Sequence, residues 1–117
     1  TSVGLSDFTN THAVEMPYGR KRALEIATTL ALDPELLLLD EPMAGLGTED
    51  IDRISALIRQ VAASRTVLMV EHNIGVVASL SDTITVLTRG RTLAEGTYEE
   101  LAGNPQVIEA YMGAGHA

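Results

Sequence analysis

Residues 36–47 read LLLLDEPMAGLG. Four leucines run without a break into two adjacent carboxylates, Asp40 and Glu41, and then into Pro42. The leucines do not alternate with polar residues. The stretch from Glu35 to Asp40 is therefore expected to be a strand buried on both faces, the mark of a central strand in a parallel sheet. A buried apolar run normally avoids unpaired charge at its end. Ligands of open α/β sheets bind beyond the carboxyl ends of the strands, which is where both acids fall. Adjacent strand residues point to opposite faces, so the two acids are expected to do different jobs. One can hold a metal ion, often through its water, while the other orients or deprotonates a nucleophile. Phosphoryl transfer needs both. The bland alternative is that the pair caps the next loop through local hydrogen bonds. The leucines before it and Pro42 after it favour chemistry.

Working outward, residues 1–18 show no clean periodicity and read as a short turn or frayed helix followed by a loop. From Arg20 onward Ala23, Leu24, Ala27, Leu30 and Ala31 recur at helical spacing. The helix is expected to end near Ala31, before Asp33-Pro34. Beyond the Gly-containing loop, a helix from about Glu49 to Ala63 carries the stripe Ile51, Ile54, Leu57, Ile58 and Val61, with Thr48 as its N-cap. Glu49, Asp50 and Asp52 suit its first turn, where the helix dipole favours acids. Thr66–Glu71 (TVLMVE) reads as a second buried strand, Ile74–Leu80 as a short helix and Thr83–Thr88 as a third strand. Arg89-Gly90-Arg91 is a hairpin turn into a strand near Thr92–Glu95. Short helices near Tyr98–Ala102 and Pro105–Tyr111 close the pattern, and the final GAGHA is expected to be loose. Strand–helix–strand–helix–strand is α/β with right-handed crossovers. It looks unfinished, because the leucine strand asks for cover that so few elements cannot supply.

The 117 residues allow one small domain, and 45% apolar with 21% charged residues is the globular range. Aromatics are confined to Phe8, Tyr18, Tyr98 and Tyr111, so the core is aliphatic. The absence of cysteine fits a reducing compartment. No apolar run is long enough to span a bilayer. The net charge is −8, and three of the eight basic residues sit together as Arg20-Lys21-Arg22, which argues against a nucleic-acid partner while leaving room for a local phosphate site.

Two further motifs carry chemistry. The second strand ends in Glu71-His72-Asn73, and a parallel neighbour would bring His72 to the same sheet edge as Glu41. A histidine there can hydrogen-bond a γ-phosphate or an attacking water. The alternative is an exposed strand-end histidine, and two strands of one sheet ending in DEP and EHN count against it. Met16-Pro17-Tyr18-Gly19-Arg20-Lys21-Arg22 opens the first helix. Its glycine would let backbone N–H groups approach a phosphate. An ordinary Pro–Gly turn with a solvated basic face explains these residues equally well.

Together the motifs resemble the nucleotide-binding subunit of an ATP-binding-cassette (ABC) transporter. LLLLDEP is similar to its Walker B strand and catalytic glutamate, MAGLG lies at its D-loop, and VEH matches its switch-histidine loop. MPYGRKRALEIATTLALDPELLLLDEP lies where the signature loop and its helix run into Walker B. Tyr18 in the signature, SLSDTITVLTRGRTLAEGT and the tail YEELAGNPQVIEAYMG look like ATPases of branched-chain amino acid importers. The resemblance runs from about Val3 to Gly113. It implies a partial P-loop NTPase (ABC ATPase) fold: a mostly parallel sheet with flanking helices, a C-terminal β-hairpin and short helices. It further implies that residues 1–19 end a helical subdomain and carry the signature loop, 20–96 form the α/β core, and 97–117 form a helical tail.

By the same resemblance, Asp40 would help hold Mg²⁺ through water, Glu41 would be the general base and His72 would sense the γ-phosphate. Pro17, Tyr18, Gly19 and Arg20 would face the nucleotide of a second ABC ATPase subunit, and Ala44, Gly45, Leu46 and Gly47 would form the D-loop. The cofactors would be ATP and Mg²⁺. The partners would be that second subunit (identical or not), a transmembrane permease and, indirectly, a solute-binding protein. The place would be the cytoplasmic face of the inner membrane.

The sequence departs from the family at three points. A phosphate-cradling GxxxxGK[ST] loop is absent, since Lys21 is the sole lysine and is flanked by arginines. The family's signature reads LSGGQ, or LSYGQ in the subgroup, and here it is MPYGR. Pro17 supplies neither the hydroxyl nor the N–H of the usual serine, and Arg20 replaces a glutamine with charge. Gly47 stands where Asp or Asn is usual, and Ala44 where Ser is common. The expectation is the C-terminal half of an ATPase subunit, binding ATP poorly alone. Thr1 in place of Met agrees with a fragment. The competing reading is a non-catalytic assembly or regulatory module docking on an ATPase or permease.

Overall fold

The computed structural model describes residues 5–115, with side-chain surroundings as far as Tyr111. The residues fall into two compact units that divide after Asn73.

In the first unit, short 3-10 turns at Ser6–Phe8 and Ala13–Glu15 lead into α1 (Tyr18–Leu30). Strand β1 (Leu36–Asp40), α2 (Thr48–Ala62) and β2 (Thr66–Val70) follow. β1 and β2 pair in parallel, with Leu36 opposite Thr66, Leu38 opposite Leu68 and Asp40 opposite Val70. The α2 stripe is as the periodicity predicts: Ile54, Leu57, Ile58 and Val61 are buried and Ile51 half-buried. These side chains join Leu37, Met43, Ala23 and Ile26 in an aliphatic core.

Two local expectations are corrected. The buried line of α1 is Gly19, Ala23 and Ile26, spaced four and three residues apart, rather than the line through Ala31, which is exposed. The N-cap of α2 is Gly47, not Thr48, and no side chain caps the end. The chain leaves the loop at Gly47, in extended conformation, and the Gly47 carbonyl takes the first helical bond from Ile51 N–H. β1, in turn, is covered on one face only, the shortfall that the unfinished pattern of elements implied. Leu37 is 1% exposed, but Leu36 and Leu38 on the other face are 51% and 64% exposed. Leu38 pairs with Leu68, and Val70, opposite Asp40, lies on the same face; both are more than half exposed, so one face of the β1–β2 ribbon is a bare aliphatic strip.

The second unit contains α3 (Ile74–Leu80), the hairpin β3 (Ile84–Thr88) and β4 (Arg91–Gly96), α4 (Tyr98–Ala102) and α5 (Pro105–Gly115). Among the described residues β3 pairs only with β4, antiparallel, and so does not extend the parallel ribbon as a third strand. Arg89 and Gly90 make the turn with positive φ, 50° and 75°. Thr97 and Glu100 form a reciprocal capping box at the start of α4. α5 continues through Gly115, four residues past the expected end at Tyr111, which leaves only His116 and Ala117 of the tail outside the described residues. Among the described residues, no helix is long and apolar enough to cross a membrane.

Candidate nucleotide-facing site

Parallel pairing puts the carboxyl ends of β1 and β2 side by side. Glu41 N–H donates to the Val70 carbonyl at 2.7 Å, one step past the last strand residue. There the backbone turns sharply. Glu41 has φ 46°, in the left-handed region that non-glycine residues enter rarely and at a cost. Strand alternation therefore stops at Asp40, and the turn sets the direction of Glu41. The Glu41 carbonyl accepts the Ala44 N–H at 3.1 Å, while Pro42 and Met43 are buried beneath the turn.

This geometry brings the predicted pair together. Glu41 Oε1 lies 3.7 Å from His72 Nε2, with side chains 48% and 75% exposed. Asp40, exposed, is the last residue of β1 and precedes Glu41 in the chain. Among the described residues no three His, Cys, Asp or Glu side chains gather into a metal cage. One strand-end carboxylate fits Mg²⁺, which keeps several waters and shares its remaining ligands with phosphate oxygens.

The residues predicted to form the signature and D-loop meet as well. Gly45 has φ 78°, and a Cβ there would touch the Tyr18 ring at 3.4 Å. Tyr18 hydroxyl donates to the Ala44 carbonyl at 3.3 Å and accepts from Arg22 Nη2 at 2.7 Å. The Arg22 guanidinium also lies over the Tyr18 ring, 5.5 Å from its centre. Leu46 is half-buried, and Gly47 has open space where a Cβ would sit, so a larger residue is sterically allowed there. Pro17, exposed, is the N-cap residue of α1 and makes no side-chain capping bond. Arg20 stacks over Phe8, 5.6 Å from the ring centre. Gly19 is buried, and a Cβ there would run into the Asp50 carboxyl group on α2, so a larger residue requires that side chain to move.

Glu71 is the residue that motif reading passed over. Its Oε2 accepts the Met43 N–H at 3.2 Å, and its Oε1 accepts the His72 and Asn73 N–H groups at 3.0 and 3.4 Å. The signal lay in the pairing: with Asp40 opposite Val70, the next residues on the two strands are neighbours. A cavity of about 640 Å³ lies away from these acids. It sits at the amino-terminal ends of the strands beside Asp33 and Arg65, whose guanidinium is held by Asp33 and the Pro34 carbonyl.

Comparison with known proteins agrees with the geometry. Residues 1–44 match the ABC transporter family, and residues 91–117 match the family described as branched-chain amino acid ATP-binding cassette transporter. The chain belongs, by sequence and by fold, to the ATP-binding-cassette ATPases. It is 43% identical over 113 residues to the high-affinity branched-chain amino acid transport ATP-binding protein BraF of Pseudomonas aeruginosa. It is 40% identical to LivG, the protein of the same description from Escherichia coli K12. Each alignment takes in 95% of this chain and 44% of the relative, so the chain spans somewhat less than half their length. Among solved structures, the ADP conformation of MJ1267, an ATP-binding cassette of an ABC transporter, superposes with a TM-score of 0.85 at 29% identity, over 96% of this chain and 46% of that one. CbiO1 of Clostridium perfringens, part of the transporter complex cbiONQ, follows at 0.81 and 26%, over 93% and 44%.

Proposed function

We propose that these residues form the second half of the ATP-binding subunit of an importer for branched-chain or related amino acids. One observation carries the reading: the ends of two parallel strands bring Glu41, the residue after Asp40, and His72 within 3.7 Å of each other. Bound Mg²⁺–ATP would supply the phosphoryl group and the charge that neutralises its oxygens. Asp40 would help hold that metal. Glu41 accepts a proton from the attacking water, and its open, half-exposed position gives that water access. His72 reads the γ-phosphate from the neighbouring strand. The first turn of α1, at Tyr18–Gly19, faces the nucleotide of a second ATPase subunit, and the pair, at the inner face of the membrane, drives a transmembrane permease fed by a solute-binding protein. Residues 1–19, 20–96 and 97–117 serve as signature segment, catalytic core and tail. Without a GxxxxGK[ST] loop the 117 residues alone bind ATP weakly and do not turn it over.

A non-catalytic assembly role is the second reading. Pro17 favours it, since proline offers no hydroxyl or N–H to a nucleotide across an interface. One substitution separates the two. In a complete subunit carrying these residues, Glu41→Gln should abolish ATP turnover while ATP binding persists. Turnover at the parent rate would remove Glu41 as the base, and a parent subunit without turnover would favour the assembly role.

A further inference from the structure

We propose that Glu71 is a positioning residue that clamps the turn carrying Glu41 to the loop carrying His72, so that base and sensor keep one relative placement. The inference rests on the ATPase reading of those two residues. The last ladder bond between β1 and β2 is Glu41 N–H to the Val70 carbonyl. Past it the two chains diverge, one into the Pro42–Met43 turn and the other toward α3. Partly buried N–H groups beyond a ladder still need acceptors. Glu71 supplies them to both sides at once: Oε2 to Met43, 28 positions away, and Oε1 to His72 and Asn73.

The chemistry favours an acid there. An ionised carboxylate is acceptor-only on both oxygens, so each can serve a different loop. Hydrogen bonds to it are about twice as strong as neutral ones. Glutamine would turn an NH₂ group toward one loop's N–H groups and could hold only the other. The clamp also reaches the signature loop, because the residue after Met43 is Ala44, whose carbonyl accepts from Tyr18. Glu71 thus stands at a junction between two motifs whose relative placement matters to chemistry, while neither of its oxygens is needed by the reaction.

The test combines amide hydrogen exchange with kinetics. In the 117-residue chain, Glu71→Ala should speed exchange at Met43, His72 and Asn73 by about tenfold or more, while the Glu41 amide, bonded to Val70, keeps its protection. Glu71→Gln should spare one loop and release the other. Unchanged protection at Met43 in both variants would overturn the clamp. In a complete subunit, Glu71→Ala should lower kcat by about ten- to a hundredfold with the KM for ATP within about twofold, and Glu71→Gln should recover part of the loss. Turnover lost in Glu41→Gln but normal in Glu71→Ala would overturn the positioning role and leave the ATPase reading standing. Turnover untouched by either would overturn both.

Discussion

Gly19→Ala should be destabilising, although alanine is the better helix former. Gly19 lies on the buried line of α1, and an added Cβ meets Cγ and both oxygens of the Asp50 carboxyl group. Asp50 is short and half-buried on α2, so it must give way as a whole side chain. Overpacking of this kind costs about 1–3 kcal/mol. Against it, alanine gains about 1 kcal/mol of helix propensity over glycine. The net expectation is a loss of about 0–2 kcal/mol.

Asp50→Ala removes the obstacle at small cost. It forfeits a 3.6 Å pairing with the half-exposed Arg53 and an acid in the first turn of α2, together about 1 kcal/mol. In that background Gly19→Ala should stabilise by about 1 kcal/mol, so its sign reverses and the coupling between the positions is about 1–3 kcal/mol. Thermal unfolding of the four proteins by circular dichroism reads this directly, at about 3–6 °C per kcal/mol for a chain of this size. Equal shifts from Gly19→Ala in both backgrounds would refute the packing argument. The result bears on function, because a signature glycine can be required by a nucleotide or by a neighbouring helix. In a complete subunit carrying these residues, ATP turnover lost in Gly19→Ala that returns with Asp50→Ala would assign the requirement to the helix.

On β1, Leu37→Ala should cost about 2–5 kcal/mol, because the side chain is 1% exposed, whereas Leu38→Ser should stay within about 0.5 kcal/mol; urea titration measures both, and equal losses would show that the two faces are not distinct. Pro17→Ser should raise ATP hydrolysis in paired complete subunits by restoring a hydroxyl and an N–H at the start of α1. Unchanged turnover there would mean that this loop does not serve the nucleotide of the opposite subunit.

The order and kind of the elements were legible because local pattern suffices for them. The α2 stripe, the hairpin at Arg89-Gly90 and the breaks at Pro34 and Pro42 each act within a few residues. The meeting of Glu41 and His72 was legible too, since one assumption, parallel neighbours, fixes which strand ends coincide. What escaped depends on partners distant in sequence. Gly19 was open to a phosphate-site explanation because nothing near it announces Asp50, 31 positions on. Glu71 drew no notice as an acceptor because its decisive donor, Met43, belongs to another loop. The leucine strand's demand for cover on both faces was legible, and so was the shortage of elements to meet it; which face stays bare depends on where α2 packs and was not legible. The N-cap of α2 moved by one residue because the extended backbone of Gly47, and not the Thr48 hydroxyl, determines where the helix begins.

The bare strip of Leu36, Leu38, Leu68 and Val70 makes stability a shared property. Covering four half-exposed aliphatic side chains is worth about 1 kcal/mol each, or about 4 kcal/mol in all. The whole margin by which a small domain stays folded is about 5–15 kcal/mol. Anything that seats on this strip therefore acts on folding as a bound ligand does, raising the melting temperature with its own concentration. For these residues a melting temperature is meaningful only when stated with whatever occupies that face.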